Sequence, residues 1–131
     1  MTVTVTGSDR LLRFAMRLDA GLVGALGIPF AALAGRLETL SGVPYAWDLG
    51  LGVFFLAYGA VFFPLAGRAN VRPGGVAIVV ANALFTVLFL GLAGAGVWPL
   101  TPWGYALLIG GGLYTAVIGA VQYIGLRRIA A

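Results

Sequence analysis

Apolar residues fall into four long runs along the chain, separated by short polar or proline-containing stretches. The runs cover about residues 18–35, 49–67, 76–97 and 103–126. Each run is long enough to cross a hydrocarbon core of about 30 Å as an α-helix. The sequence lacks the segments of about 10 residues with alternating polarity that indicate a membrane β-barrel. The pattern predicts an all-α polytopic membrane protein whose single domain, residues 1–131, contains four transmembrane helices.

The four runs are joined by short connections. These are RLETLSGVPYAWD at 36–48, RANVRPGG at 68–75 and WPLTP at 98–102. Because connections of this length join only helix ends that lie close together, neighbouring helices must run antiparallel. We therefore expect an antiparallel four-helix bundle with both chain ends on one side.

The residues before the first run are predicted to form a short amphipathic helix of their own. Arg10, Arg13 and Arg17 recur at helical spacing on one face, with apolar residues on another. Such a helix would lie in the headgroup layer before the chain turns into the bilayer. Arginines followed by an apolar run and ALA at 32–34 also resemble a signal peptide, but Asp19 is a poor start for its apolar region.

The composition indicates lipid as the main solvent and narrows the chemistry. Hydrophobic residues make up 61% of the 131 residues and charged residues 9%, whereas soluble domains carry about 25% charged residues. Cysteine and histidine are absent, which removes disulfides, thiolate chemistry and the commonest general base and transition-metal ligand. The sequence also carries no phosphate loop or cofactor motif. We expect no enzymatic activity, no metal and no cofactor.

The basic residues are all arginines, and most of them flank the predicted spans on one side. Those seven are Arg10, Arg13, Arg17, Arg68, Arg72, Arg127 and Arg128. The positive-inside rule then predicts a multi-pass protein of the cell inner membrane with both termini in the cytoplasm. With a net charge of +4, the chain is expected to bind anionic lipid headgroups through these arginines, and not nucleic acid.

The opposite side of the predicted bundle carries the tryptophans and two of the acidic residues. Trp47, Trp98 and Trp103 all fall there, which is half of the aromatic belt of a membrane protein. Glu38 and Asp48 fall on the same side, and we expect both to lie in solvent near a helix start.

Polar side chains inside the apolar runs are few and gather toward the arginine side. The candidate site consists of Asp19, Asn82, Gln122 and Tyr123, and further hydroxyls nearer mid-span belong to Tyr58, Thr86, Tyr114 and Thr115. One interpretation is structural: Asp19 stabilises a helix start or pairs with an arginine, and each amide joins helices with about 0.6 kcal/mol. The other is functional, because an intramembrane ionisable group often marks a proton or ligand site. In that case the four residues line a polar cavity open to the cytoplasm.

Small residues at four-residue spacing mark the predicted helix contacts. In the first run the rows are Gly27, Ala31, Gly35 and Gly21, Ala25. In the fourth run they are Gly112, Ala116, Ala120 and Gly111, Thr115, Gly119.

At LRFAMRLDAGLVGALG, VVANALF and the terminal QYIGLRR, the chain resembles a type of small four-span integral membrane protein known mainly as uncharacterised open reading frames. The resemblance covers most of the chain and implies the four-helix topology. Small multidrug-resistance transporters have a similar length and span number, but they carry a glutamate within the first span, where this chain has only Asp19 nearer the edge. Four-span DoxX-like proteins are similar in size, without motifs that match here.

These features favour a non-enzymatic accessory or scaffold subunit of the inner membrane, working in a larger complex or as a small homo-oligomer. The alternative is a small transporter or ligand-binding membrane protein that uses Asp19, Asn82 and Gln122. If Asp19 and Asn82 both face a common interior void, the alternative is favoured. If both face lipid headgroups or partner helices, the scaffold is favoured.

Overall fold

Helices form nearly all of the chain in the computed structural model, which describes residues 7–129. Within that range there are five α-helices and no strand, so the all-α prediction is confirmed. They are α1 (Gly7–Ala32), α2 (Ala34–Ser41), α3 (Tyr45–Leu65), α4 (Arg72–Ala95) and α5 (Pro102–Arg127). In the described chain, α3, α4 and α5 are long and apolar enough to cross a membrane, and α1 with α2 adds a fourth span if the bent pair counts as one.

α1 runs without interruption from Gly7 to Ala32, so the prediction of a separate amphipathic helix before the first span is wrong. Leu12 and Met16, on its first turns, are fully buried. They pack where α4 begins and α5 ends, and a Cβ on Gly125 would lie only 2.8 Å from the Leu12 backbone nitrogen. The apolar stripe of this segment has protein partners, and the helix therefore continues into the bundle.

The chain bends by 90° between α1 and α2, and α2 occupies a stretch that the sequence predicts as a loop. Gly42 ends α2 with a left-handed backbone, φ 81°, which glycine adopts without steric cost. Thr101 ties this turn to the α4–α5 connection. Its amide donates to the Ser41 carbonyl at 3.0 Å, and its hydroxyl donates to the Leu40 carbonyl at 2.6 Å. α2 is therefore held against the end of the bundle.

Glycines let α1 and α3 cross at close range. A Cβ on Gly59 would lie 2.7 Å from the carbonyl oxygen of Ala20 and 2.8 Å from the Cα of Gly24. Further along, a Cβ on Gly27 would lie 2.6 Å from the carbonyl oxygen of Gly52. Backbones that approach this closely hold helices together by van der Waals contact, as in membrane helix pairs.

A second close crossing joins α4 to α5. A Cβ on Gly119 would lie 3.1 Å from the Cβ of Asn82, and one on Gly112 would lie 2.7 Å from the side chain of Leu90. By contrast, Gly21 and Ala25 of the first run are exposed. The face of α1 that contacts α3 carries Gly24 and Gly27 instead. The row formed by Gly21 and Ala25 is therefore not a helix contact within the described chain.

The two ends of the bundle differ in composition. The arginine end carries the start of α1, the α3–α4 connection and the end of α5, with six exposed arginines: Arg10, Arg17, Arg68, Arg72, Arg127 and Arg128. The tryptophan end carries α2, the start of α3 and the α4–α5 connection, where the rings of Trp47 and Trp98 meet edge to face at 5.1 Å. This polarity matches the two sides expected from the sequence.

Arg13 is not an exposed arginine, although the sequence predicts it as a headgroup ligand. Its side chain is buried and pairs with Asp9 at 3.1 Å. Its NH1 nitrogen donates to the carbonyl oxygens of Ala66 at 2.8 Å and Arg68 at 2.7 Å. Both carbonyls lie just after the last residue of α3, Leu65, at the start of the α3–α4 connection. Arg13 therefore joins α1 to the end of α3.

The surface of the bundle is apolar and its interior is partly polar. Val87, Leu84 and Val117 are 72%, 66% and 65% exposed. Asp19, Asn82 and Gln122, by contrast, are each at most 1% exposed. Soluble proteins show the reverse distribution of large apolar and charged side chains. These three buried polar side chains need hydrogen-bond partners inside the bundle.

Candidate functional site

Asp19 is the centre of a polar cluster to which all four long helices contribute. Its side chain is fully buried. Its Oδ2 accepts hydrogen bonds from the Tyr58 hydroxyl at 2.5 Å, Asn82 Nδ2 at 3.0 Å and Gln122 Nε2 at 3.1 Å. Its Oδ1 accepts one from the Tyr114 hydroxyl at 2.5 Å. A single carboxyl group thus ties α1 to α3, α4 and α5.

The two amides of the cluster also bond to each other. Asn82 Nδ2 lies 2.8 Å from Gln122 Oε1, and it is 3.2 Å from both the Tyr58 hydroxyl and the Ile78 carbonyl. An amide nitrogen has two hydrogens, so these acceptors and Asp19 use its full donor capacity. The cluster is therefore one connected network.

The close helix crossings bring these side chains within reach of one another. Gly59 follows Tyr58 and presses α3 onto α1 beside Asp19. Gly119 presses α5 onto α4 at Asn82 itself. Side chains as short as aspartate and asparagine can bond across helices only where the backbones lie this close.

The carboxyl group of Asp19 is the acceptor in all four of its hydrogen bonds within the cluster. An ionised carboxylate can only accept hydrogen bonds, so this arrangement suits the charged form. Within residues 7–129 no arginine forms an ion pair with Asp19, and Arg13 pairs with Asp9 instead. Four neutral donors are thus directed at this one carboxyl group, and hydrogen bonds to a carboxylate are shorter and stronger than those between neutral groups.

A cavity of about 330 Å³ lies between the four long helices, on the side of the cluster toward the tryptophan end. Its walls are apolar and include Phe55, Phe89 and Leu108. Its floor, next to the cluster, consists of four residues with polar side chains, Tyr58, Asn82, Tyr114 and Thr115, of which all but Tyr114 are buried. The first three of these floor residues bond directly to Asp19. The volume is at the lower end of the range for small-molecule sites.

The cavity reaches the surface between α1 and α5. Leu26, Ala106 and Gly110 line it and are exposed, so they form its rim. At the arginine end the bundle is closed by a packed apolar core that includes Leu12 and Met16, both fully buried. The rim therefore lies on the side of the bundle and not at its arginine end.

The structure brings three of the four predicted site residues together: Asp19, Asn82 and Gln122. Tyr123 is outside the cluster, because it is 48% exposed and its ring lies 5.9 Å from the guanidinium of Arg127. Successive helix residues differ in direction by about 100°, so the residue after the inward-facing Gln122 faces outward. This prediction is wrong for Tyr123.

The cavity also differs from the prediction in place and lining. Asn82 lines it, whereas Asp19 and Gln122 lie behind its floor. The sequence predicts a cavity that opens at the arginine end. The observed void instead extends from the cluster toward the tryptophan end. In the arginine half, Leu12, Met16, Ile78 and Leu126 pack into one core and fill the space there. In the other half, Gly110 and Gly111 are among the residues that line the void.

Sequence reasoning missed parts of this arrangement. Tyr58 and Tyr114 were recognisable only as hydroxyls near mid-span, and a tyrosine far from both ends of an apolar helix is a usable signal, since its hydroxyl needs a partner when buried. The prediction for Asp48 is wrong: the side chain is fully buried, and neither carboxyl oxygen has a partner among the described residues. Glu38 is exposed, as expected.

The chemistry of the site rests on the residues of this chain alone. No protein-family model, curated protein or solved structure matches the chain. Within residues 7–129, no three Asp, Glu, His or Cys side chains group as metal ligands. The site offers a buried carboxyl group, two tyrosine hydroxyls and an apolar void. This set can hold an apolar molecule and orient it by a polar end.

Proposed function

We propose that this chain is an integral membrane protein that takes a small lipophilic molecule from the bilayer into its interior cavity, as a ligand-binding protein or small transporter. The observation that carries the proposal is the cavity of about 330 Å³, with apolar walls and a polar floor bonded to Asp19. A purely structural polar cluster would be expected to have side chains packed on all sides. Here one side of the cluster faces an unfilled space.

The apolar exterior supports the membrane assignment, together with helices of spanning length. We infer four antiparallel spans in the cell inner membrane, with α1 bending into α2 at the membrane surface. The six exposed arginines favour a cytoplasmic position for the arginine end and both termini, where they would contact anionic lipid headgroups. In this orientation the cavity occupies the outer half of the bilayer.

The position of the rim supports entry from lipid. Leu26, Ala106 and Gly110 are exposed on the side of the bundle, where acyl chains would surround them. A lipophile that is already dissolved in the bilayer could pass between α1 and α5 without crossing water.

Two glycines provide a matched test of cavity binding. Gly110 lines the cavity and Gly91 does not, yet both are exposed helical glycines beside which a Cβ would meet no atom within 4 Å. The full chain is placed in nanodiscs and irradiated with decanol that carries a diazirine, and labelled peptides are identified by mass spectrometry. We expect labelling of the cavity walls, reduced about tenfold in Gly110→Leu and unchanged in Gly91→Leu.

The outcomes separate cavity binding from dissolution of the probe in lipid. Equal labelling of the walls in Gly110→Leu and in the unchanged chain would contradict the proposal, as would labelling confined to outward-facing residues. Retained helicity and monodispersity of both variants serve as the control for folding.

A second candidate function is that of an accessory or scaffold subunit, favoured by the exposed face of α4. Gly91 and Gly94 leave open space on that face, and small residues there allow a partner helix or a second copy to approach closely. Purification in mild detergent tests this candidate. A stable complex that Gly91→Leu abolishes and Gly110→Leu leaves intact would support it, and a monomer at every detergent concentration would contradict it.

A further inference from the structure

The polar hydrogens on the cavity floor are directed away from the cavity. The hydroxyls of Tyr58 and Tyr114 both donate to Asp19 at 2.5 Å. The amide hydrogens of Asn82 are used by Asp19 and its neighbours inside the cluster. The Thr115 hydroxyl bonds to the Gly112 carbonyl at 3.0 Å. A ligand in the cavity would therefore find no free donor among the described floor residues.

Acceptors, in contrast, are left over on the floor. A tyrosine oxygen has lone pairs to accept hydrogen bonds, and the described hydrogen bonds of Tyr114 include none that its oxygen accepts. Tyr58 accepts one, from Asn82. The side-chain oxygen of Asn82 takes part in none of the hydrogen bonds described for this residue. The oxygens of Tyr58, Asn82, Tyr114 and Thr115 therefore each have a lone pair left for a hydrogen from a ligand, although the Thr115 hydroxyl also contacts that of Thr86 at 2.8 Å.

The charge behind the floor has a definite sign. Asp19 lies behind the floor, in contact with the hydroxyls of Tyr58 and Tyr114. Within residues 7–129, no arginine forms an ion pair with it. In low-dielectric surroundings a charge acts over several ångströms with little screening. Because the hydrogen bonds of Tyr58 and Tyr114 point toward Asp19, the negative ends of their hydroxyl dipoles face the cavity. A positive group on the ligand is favoured there, and a negative one is disfavoured.

We propose, building on the cavity binding above, that the ligand is a lipophilic primary ammonium compound. A primary ammonium group donates hydrogens and accepts none, which suits a floor that has free acceptors and no free donor. Its positive charge compensates the carboxylate behind Tyr58 and Tyr114. Its apolar body lies among Phe55, Phe89 and Leu108, the walls of the cavity.

Competition between matched compounds tests this ligand class. The full chain in phosphatidylcholine nanodiscs is labelled with the diazirine decanol in the presence of decylamine, decanol, decanoate or decyltrimethylammonium. These competitors share one alkyl chain and differ only in head group. Concentrations are corrected for partition into nanodiscs without protein. We expect decylamine to displace the label at a concentration about tenfold lower than decanol, with decanoate weakest.

Decyltrimethylammonium separates charge from hydrogen bonding, since it is a cation without a donor hydrogen. We expect it to compete less well than decylamine. In Tyr114→Phe, which removes one acceptor and keeps the ring, the advantage of decylamine over decanol should fall by about threefold. Asp19→Asn should remove most of that advantage by removing the charge.

The competitor series gives different results depending on whether the ammonium preference or cavity binding itself is absent. If decylamine and decanol compete equally, the ammonium proposal is overturned while cavity binding stands. If decylamine and decyltrimethylammonium compete equally, hydrogen bonds from the ammonium group to the floor contribute nothing, and the preference for a primary ammonium group is overturned. If no compound displaces the label from the cavity walls, the cavity is not a binding site and both proposals fall. The competitor series uses the unchanged chain, so it is decisive even if Asp19→Asn does not fold.

Discussion

Within the described chain, the carboxyl groups of Asp19 and Asp48 are both fully buried, and their surroundings are opposite. Asp19, in the middle of the bundle, accepts hydrogen bonds from two tyrosines and two amides. Asp48, in the first turn of α3 at the tryptophan end, has no partner on either oxygen among the described residues. Burial alone therefore does not reveal what an acidic side chain does. The number of donors directed at it does.

The energetic consequences of the two environments have opposite signs. Leaving a buried polar group without a partner costs about 1 to 3 kcal/mol. The start of α3 offers Asp48 a favourable helix dipole, but that contributes only about 0.3 to 1 kcal/mol. Glu38 lies near enough to act on Asp48 as a like charge. Asp48 should therefore be a net cost to the fold, whereas Asp19 should stabilise it.

The largest effect is expected from removing the carboxyl group of Asp19. Asp19→Ala removes the shared acceptor of four donors, and we expect it to lower the free energy of unfolding by about 3 kcal/mol. Unfolding by dodecyl sulfate in mixed micelles, followed by circular dichroism, measures this. Asp19→Asn keeps one acceptor and should lose about half as much. A loss in Asp19→Ala no larger than that of an exposed alanine substitution, such as Leu84→Ala, would contradict a central role for the cluster.

The opposite sign is expected at Asp48. Asp48→Leu replaces an unpaired buried carboxyl group with an apolar side chain and should raise the free energy of unfolding by about 1 kcal/mol. Asp48→Asn, which keeps a polar group there, should change it by less. The same titration in mixed micelles compares them directly. A destabilised Asp48→Leu would mean that Asp48 is paired in the membrane, for example with a bound cation, and would remove the contrast with Asp19.

Asp19 and Asp48 differ in their tertiary surroundings, and the same distinction between local and tertiary effects separates the helices that the sequence predicts from those that it does not. Runs of apolar residues determine where helices form, because length and hydropathy act locally, and α3, α4 and α5 cover three of those runs. Local pattern could not reveal α2, which depends on Thr101 from a distant connection binding the Leu40 and Ser41 carbonyls. Nor could it reveal that α1 continues to its first residues, which depends on packing against α4 and α5.

The candidate site was predictable to the extent that polarity alone defines it. Asp19, Asn82 and Gln122 stand out because polar side chains within apolar helices need partners. The outward direction of Tyr123 depends on helix rotation, and the burial of Arg13 and Asp48 depends on which helix ends meet. The cavity is the least predictable feature, since it results from side-chain volumes on four helices at once.

The smallest effects are expected from the two tyrosines, and they test whether the cluster acts as a network. The Tyr58 hydroxyl donates to Asp19 and accepts from Asn82, whereas that of Tyr114 is described only as a donor to Asp19. Phenylalanine keeps either ring and removes only the hydroxyl. We therefore expect Tyr58→Phe to cost about 1 kcal/mol and Tyr114→Phe about 0.6 kcal/mol in the same titration.

A double-mutant cycle with Asp19→Asn separates the contributions of these hydroxyls. If Tyr58→Phe acts only through Asp19, its effect should largely vanish in the Asp19→Asn background. A residual effect at Tyr58, absent at Tyr114, would measure the bond from Asn82. Equal effects of the two tyrosines in both backgrounds would mean that the Asn82 bond contributes nothing measurable. The cluster would then be four independent bonds to one carboxylate, because its amides would not be coupled to its hydroxyls.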